Sequence, residues 1–363
     1  MFELDFGQYL RESEPVYGEK AKAWQAAVGL QAVDGLTPSE YLYETAKQHI
    51  EGAITIDEVK SRIDDYYKSK SVRTDIDNER TEEADKVSAR ITELLGEKAF
   101  SFTPHELIRI HRHLFTGIYK FAGQIRDSNI TKREWVLDGD TVLYASADSI
   151  MDTLEYDISQ ERSFSYEGLN IDQAIKHLCR FTANLWQIHP FGEGNTRTTA
   201  VFLMKYLNTF GFKINNEAFA NNSWYFRNAL VRANYTNIQK GIHSTCEPLE
   251  RFMRYLILEE PADLRNRTLH IDAKKVQNEL IETKIKVQNE PINNLSLQEL
   301  AVVNAITENP SITLDQLAAT FGKSRSTVKR TVETLKEKEI LRREGARKNG
   351  RWILSSIRKV KNL

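Results

Sequence analysis

Two cysteines, Cys179 and Cys246, stand far apart in a chain of 363 residues. That excludes a disulfide framework and a cysteine-built zinc site, and leaves two buried thiols suited to a reducing compartment. No run reaches the roughly 18 consecutive apolar residues that a membrane-spanning helix needs. The start, Met-Phe-Glu-Leu-Asp-Phe, lacks the basic residues and apolar stretch of a secretory leader. Opposite charges nearly cancel, with 50 Lys+Arg against 51 Asp+Glu, so no global field favours nucleic acid or an anionic membrane. There is no internal repeat and no low-complexity tract. What remains is a chain that is 40% hydrophobic, long enough for two or three domains and expected to be cytoplasmic.

Apolar residues recur at intervals of three and four over most of the length, which predicts a mainly α fold. Leu42, Ala46 and Ile50 mark one helix. Val59, Ile63, Tyr66 and Tyr67 mark another, begun by the capping pattern Thr55-Ile-Asp-Glu58 and separated from the first by Gly52. Residues 75–85 are charged and read as a solvated linker or helix face. Thr103-Pro104 opens a helix with Leu107, Ile110, Leu114, Phe115 and Ile118 inward. Residues 125–146 are richer in β-branched and aromatic side chains around Asp138-Gly139-Asp140, which predicts a hairpin. Helical spacing resumes over 171–188, 195–210, 223–233 and 248–259, and Glu260-Pro261 ends this block.

The last segment differs. Residues 297–308, 313–321 and 324–335 give three short helices, and 340–343 and 350–354 give two strands. That is the order of a winged helix-turn-helix. From residue 297 onward there are 14 Lys+Arg against 7 Asp+Glu, the electrostatic footprint of a nucleic-acid partner. Arg325, Ser326, Lys329 and Arg330 would face outward from the third helix. Val328, Val332 and Leu335 would face inward, and the wing would carry Arg347, Lys348 and Arg351. A dimerisation module is the alternative for such a segment.

The densest chemistry lies between two of the helices, in His189-Pro-Phe-Gly-Glu-Gly-Asn-Thr-Arg197. Gly192 and Gly194 allow a tight turn. The turn enters a helix N-terminus, where free N–H groups and the helix dipole favour an anion. Arg197 can place a guanidinium on a phosphate oxygen. Glu193 beside an anion hole suggests a bridging Mg2+. His189 titrates near neutrality and suits removal of a hydroxyl proton. Base, metal carboxylate, anion hole and cation in nine residues describe phosphoryl or nucleotidyl transfer.

This segment resembles the Fic family, whose signature H-x-F-x-(D/E)-G-N-x-R is met at His189, Phe191, Glu193, Gly194, Asn195 and Arg197. Residues 110–115 and 119–126 look like the helix that leads into the family's flap, and the resemblance covers about residues 100–260. It implies a Fic-type helical core with a β-hairpin flap, and a protein adenylyltransferase. Such an enzyme moves AMP from Mg2+-bound ATP to a Ser, Thr or Tyr hydroxyl of a protein, itself included. His189 would then deprotonate the hydroxyl and Glu193 would hold Mg2+. Gly192, Gly194, Asn195, Thr196 and Arg197 would bind the phosphates, Phe191 would anchor the loop, and Tyr225 would sit near adenine. The flap, with Leu143 and Tyr144, would dock the target as an added strand. The reading requires a turn that receives nucleotide and a His189 ring open to the target.

Two positions depart from the family pattern. Ala200 stands where a second Arg is common, and Thr196 where Gly is usual; this leaves UMP or GMP donors open. Residues 24–67 resemble the small antitoxin domains of some Fic proteins. Lys47-Gln-His-Ile-Glu51-Gly52 is a partial match to their inhibitory motif, in which Glu51 would pair with the missing second Arg, so inhibition through Glu51 is expected to be weak unless Glu51 pairs with Arg197 instead. The expected organisation is an antitoxin-like helical domain at 1–70, a Fic core at 71–262, a helical linker at 263–296 and a winged helix-turn-helix at 297–363. Relatives often form homodimers. A DNA-binding regulator whose Fic core senses nucleotide is the alternative function.

Overall fold

The computed structural model describes Phe6 and residues 15–69, 76–212, 217–272, 295–338, 340–344 and 351–354. The wing residues Arg347 and Lys348, and residues 273–294 of the expected linker, lie outside this set. The described residues divide into two compact units. The first draws on Met1–Ser163, Cys179–Lys205 and Asn215–Glu282; the second on Phe164–Leu178, Tyr206–Ile214 and Thr283–Leu363. The expected boundary at residue 70 falls inside the first unit.

The first unit begins with α1 (Pro15–Gly29), which runs into a 3-10 turn at Leu30–Asp34. There follow α2 (Glu40–Ile50), α3 (Ile56–Ser69), α4 (Ile76–Gly96) and α5 (Pro104–Phe115). Local chemistry fixes their starts. The Ser39 and Thr103 side chains accept hydrogen bonds from Leu42 and Glu106 N–H, and Pro104 occupies the first turn of α5. Trp24, Leu42, Ala46, Ile50, Val59, Ile63 and Tyr67 bury one apolar cluster. Buried Asp85 ties it together, accepting from Ser39 N–H at 2.8 Å and Tyr67 Oη at 2.7 Å. Residues 76–85 of the charged stretch belong to helix, because Ala84, Val87, Ile91 and Leu94 give α4 a buried face.

Beyond α6 (Ile150–Ser163), α7 (Ile171–Ile188) and α8 (Asn195–Thr209) flank the short loop. They are followed by α9 (Glu217–Ala233) and α10 (Glu247–Leu258). The α1 terminus crosses α9 so closely that a Cβ on Gly29 would lie 2.3 Å from Ala220 Cα. Glycine there lets the 3-10 turn, and Asp34 with it, reach the loop.

The hairpin expected within residues 125–146 is corrected in part. Its turn forms, with Asp138 and Gly139 both left-handed. Its flanks make no ladder; a 3-10 turn occupies Trp135–Leu137, and Glu134 N–H donates to Asp140 O at 2.9 Å. Leu143 is 84% exposed between buried Val142 and Tyr144, and buried Glu134 on the other flank pairs with Arg227.

The second unit contains α11 (Leu297–Glu308), α12 (Leu314–Phe321) and α13 (Arg325–Glu337). The antiparallel strands β1 (Leu341–Glu344) and β2 (Arg351–Leu354) follow. Capping boxes at Ser296/Glu299 and Thr313/Gln316 start the first two helices, and left-handed Gly322 ends the second. Val328, Val332 and Leu335 face the core, as expected, and Arg325, Ser326, Lys329 and Arg330 face solvent. The fold is mainly α, with a winged-helix region at its C-terminal end.

Candidate active site

The loop between α7 and α8 is held in one shape by buried groups. Asn195 clamps it; its Oδ1 accepts from Phe191 N–H at 3.0 Å and its Nδ2 donates to Phe191 O at 2.7 Å. The Phe191 ring stacks on His111 with centroids 3.7 Å apart. Gly194 has φ 77, and a Cβ there would lie 2.4 Å from the Phe115 ring, so backbone and packing both demand glycine. Trp186 Nε1 donates to Thr196 Oγ1 at 3.0 Å. The first-turn N–H groups of α8 are thereby presented by a rigid turn.

Two loop supports carried no signal beyond their place near the flap. Arg126 Nε donates to His189 O at 2.9 Å, and its backbone N–H donates to Pro190 O at 2.9 Å. His189 has φ 51, so Arg126 holds a strained residue in place. His111 Nδ1 accepts from Gly123 N–H at 2.8 Å, which makes Nε2 the donor to Glu193 O at 3.0 Å. His111 is therefore neutral. Burial pushes its pKa down to about 4, with the Arg197 charge adding to this and the Glu193 bond opposing it.

That pKa has a stability consequence. Unfolded histidine takes up a proton near pH 6.5, and folded His111 does so only near 4. Stability is therefore complete above the unfolded value and falls as pH drops from about 6.5 to 4, by roughly 3 kcal/mol for such a group. His49, which accepts from Trp24 Nε1 at 3.0 Å and is likewise pushed down to about 4, adds a similar slope. The unfolding midpoint is expected to fall over this interval, and less steeply in His111→Gln. An identical slope in the variant would assign the effect elsewhere.

His189 itself is only 3% exposed. Its ring stacks under Tyr144 at 4.1 Å and meets Trp186 edge-on at 5.2 Å. Burial foremost, then the charges of Lys132, Arg227 and Arg126, holds its pKa well below the ordinary histidine value. The imidazole is thus in the neutral form that a base requires, yet it is covered. The expectation of an open ring is not met in this arrangement, because the flap residue Tyr144 lies over it.

Glu193 extends outward from the turn and pairs with Lys132 Nζ at 2.7 Å. It is a single carboxylate; among the described residues no group of three or more His, Cys, Asp or Glu could hold a metal. It fits an ion that arrives with a nucleotide, since Mg2+ is commonly held by one or two carboxylates plus substrate phosphates.

Arg197 is 1% exposed, and acids surround it. Nε lies 2.9 Å from Asp34 Oδ2, Nη2 lies 2.6 Å from Glu83 Oε1, and Nη1 donates to Gln31 Oε1 at 3.0 Å. Tyr119 Oη donates to Glu83 at 2.6 Å and accepts from Arg197 at 3.2 Å. Burial opposes the charge, but Asp34, Tyr119 and Glu83 outweigh it and keep the guanidinium protonated. Arg227 on α9 joins the cluster, paired with both oxygens of Glu134 at 3.1 Å. None of these partners was legible, because they come from α4, the turn after α1, the flap and α9.

The remaining expected residues fall elsewhere. Tyr225 is 0% exposed, on α9. Leu143 is exposed, and its carbonyl accepts from Gln187 at 2.9 Å. Glu51 and Gly52 are exposed at the end of α2, and the acids on Arg197 are Asp34 and Glu83 instead. On α13, Arg325 pairs with Asp315 at 2.7 Å, and Lys329 lies 3.7 Å from Glu333. No helix among the described residues is long and apolar enough to cross a membrane.

Comparison with known proteins finds two family matches along the chain. Residues 101–207 match the model of the Fic/DOC family, and residues 293–351 match that of the MarR family. Among solved structures, the N-terminal Fic domain of a Bartonella effector is similar at 17% identity, covering 54% of this chain and 93% of that one, with a TM-score of 0.42. A Fic family protein from Desulfovibrio desulfuricans is similar at 14% identity over 96% of this chain and 90% of that one, also at 0.42. A Fic-domain signalling protein from Bacteroides thetaiotaomicron is similar at 13% identity over 87% and 95%, at 0.36. The loop from His189 to Arg197 lies inside the matched segment, and the chain thus carries a Fic/DOC-family domain, of a family that generally transfers AMP or other nucleotide groups to proteins, followed by a MarR-like winged helix.

Proposed function

We propose that the protein transfers AMP from ATP to a Ser, Thr or Tyr hydroxyl of a protein, its own chain included. The observation that carries this reading is the Asn195-clamped turn, which places His189 and Glu193 just before the N-terminus of α8 and Arg197 in that helix's first turn. The His189 imidazole, held neutral, accepts the hydroxyl proton. The freed oxygen attacks the α-phosphorus, a new P–O bond forms, the bond to the bridging oxygen of the β-phosphate breaks, and pyrophosphate leaves. The N–H groups at the start of α8 and the Arg197 guanidinium meet the phosphate charge. Mg2+ bound with the nucleotide would neutralise phosphate charge, with Glu193 as its protein ligand. Catalysis on this reading requires Tyr144 to leave His189, Lys132 to leave Glu193, and the acids to leave Arg197.

The test compares ATP labelled at the α- and at the γ-phosphate, with the full chain and Mg2+, followed by intact mass. Label from the α position alone and a gain of about 329 Da are expected, since nucleotidyl transfer keeps the α-phosphate and releases the rest. Label from the γ position alone would make it a phosphoryl transferase and overturn the reading. Parallel reactions with UTP and GTP decide the donor.

The outward Arg325, Lys329 and Arg330 on α13 favour a second activity, duplex DNA binding by the winged helix. Affinity for nonspecific duplex is then expected to fall with salt. Replacing the three residues by Ala should reduce the log–log slope by roughly one per lost phosphate contact. Salt-independent binding, or none, would leave this module a protein-interaction element.

A further inference from the structure

Arg227 has a geometry that the transferase reading does not use. Its Nη1 donates to Val33 O at 2.9 Å and lies 3.6 Å from Asp34 Oδ1. The other oxygen of the same carboxylate, Asp34 Oδ2, is 2.9 Å from Arg197 Nε. One carboxylate therefore lies between two guanidiniums, which is the placement an anion takes in a two-cation site.

The fit of that carboxylate is poor. Arg197 Nε, Arg227 Nε and Asp34 Oδ2 are all buried without an aligned hydrogen-bond partner, although the Asp34–Arg197 separation is short. Orphaned buried donors are costly. Two guanidiniums offer more donors than a planar, two-oxygen acceptor can align with. A phosphoryl group, tetrahedral and richer in acceptor oxygens, suits them better.

The position also makes chemical sense beside the loop. On α8 the residue one turn after Arg197 is Ala200, wholly buried and without charge, so that helix supplies one cation. Arg227 is close enough for its charge to act on His189 and Tyr144. We infer that Arg227 is the second phosphate-binding cation of the nucleotide site, and that it and Arg197 together hold the polyphosphate end of a nucleoside triphosphate where the Asp34 carboxylate now lies. This rests on the transferase reading for the identity of the ligand and deepens it. It predicts discrimination by phosphate count, with a nucleoside triphosphate held far better than the monophosphate. It also makes Asp34 and Glu134 competitors of the ligand.

Binding of ATP and of AMP to the full chain, by calorimetry, tests this in wild type, Asp34→Asn, Asp34→Asn/Arg227→Gln, Asp34→Asn/Arg227→Lys and Asp34→Asn/Arg197→Gln. Asp34→Asn is expected to tighten ATP binding. Adding Arg227→Gln should weaken it by about 10- to 100-fold, the size of a lost charge-assisted contact, with AMP affinity little changed. Arg227→Lys, which keeps the charge without the fork, should retain part of the affinity and report on folding. Equal losses for ATP and AMP in Arg227→Gln would mark a structural role and overturn the inference. ATP binding that needs Arg197 but ignores Arg227 would overturn it alone and leave the transferase reading standing. No nucleotide binding by any of the chains would overturn both.

Discussion

His189→Ala is expected to lower the rate of transfer by about 10²- to 10⁴-fold, the contribution of a positioned general base, with little change in ATP affinity. The reason is division of labour within the loop. Asn195, Gly194 and the start of α8 shape an anion site, and Arg197 supplies charge, but none of them can take a proton from a hydroxyl at neutral pH. The pH dependence has a definite sign. The active form is the neutral imidazole, and burial with nearby cations keeps its pKa well below the ordinary value. Activity should therefore fall in acid solution, as the ring gains its proton, and Tyr144→Ala, which uncovers the ring, should move that fall to higher pH. Because the ring also packs on Tyr144 and Trp186, the alanine variant needs a partner that separates packing from proton transfer. His189→Gln fills much of the same space and cannot serve as base; it should be as inactive as the alanine variant. If either variant kept wild-type rate with ATP bound, the proton would be leaving by another route.

The helices and the loop were legible in the sequence because both are local. Leu42, Ala46 and Ile50 at spacings of four, Thr103 before Pro104, and the capping residues at 296 and 313 each act within one or two turns. The residues of the phosphate turn are likewise consecutive. What the sequence hid is pairing over long separations. Arg197 meets Gln31 and Glu83 across 166 and 114 positions, and Arg227 meets Glu134 across 93; no periodicity records such partners. The hairpin expectation held only at its turn: Asp138-Gly139 is a local signal, whereas the pairing of Glu134 with Arg227 on α9 is not. Glu51 drew attention because it sits in a motif-like stretch, whereas Asp34 ends a 3-10 turn with no motif around it.

The acids on Arg197 lead to the second large effect. Replacing Asp34 by Asn and Glu83 by Gln together is expected to raise transfer by at least about 10-fold, because each removes an anion that competes with phosphate for Arg197. The amides keep the shape and some hydrogen bonding of the originals while removing their charge, so Arg197 stays placed and becomes available. A cost accompanies the gain. A guanidinium that is 1% exposed loses its counter-charges, so the folded state should be less stable without nucleotide and recover when it binds. Thermal unfolding with and without ATP reads that trade directly. Glu51→Gly, by contrast, is expected to change the rate little, since Glu51 is an exposed helix end. A large rise in Glu51→Gly with none in the double variant would return the inhibitory role to the α2 terminus. The opposite pattern would mean that this chain shields its arginine with acids on α4 and on the turn after α1, and that their withdrawal is the step that admits nucleotide.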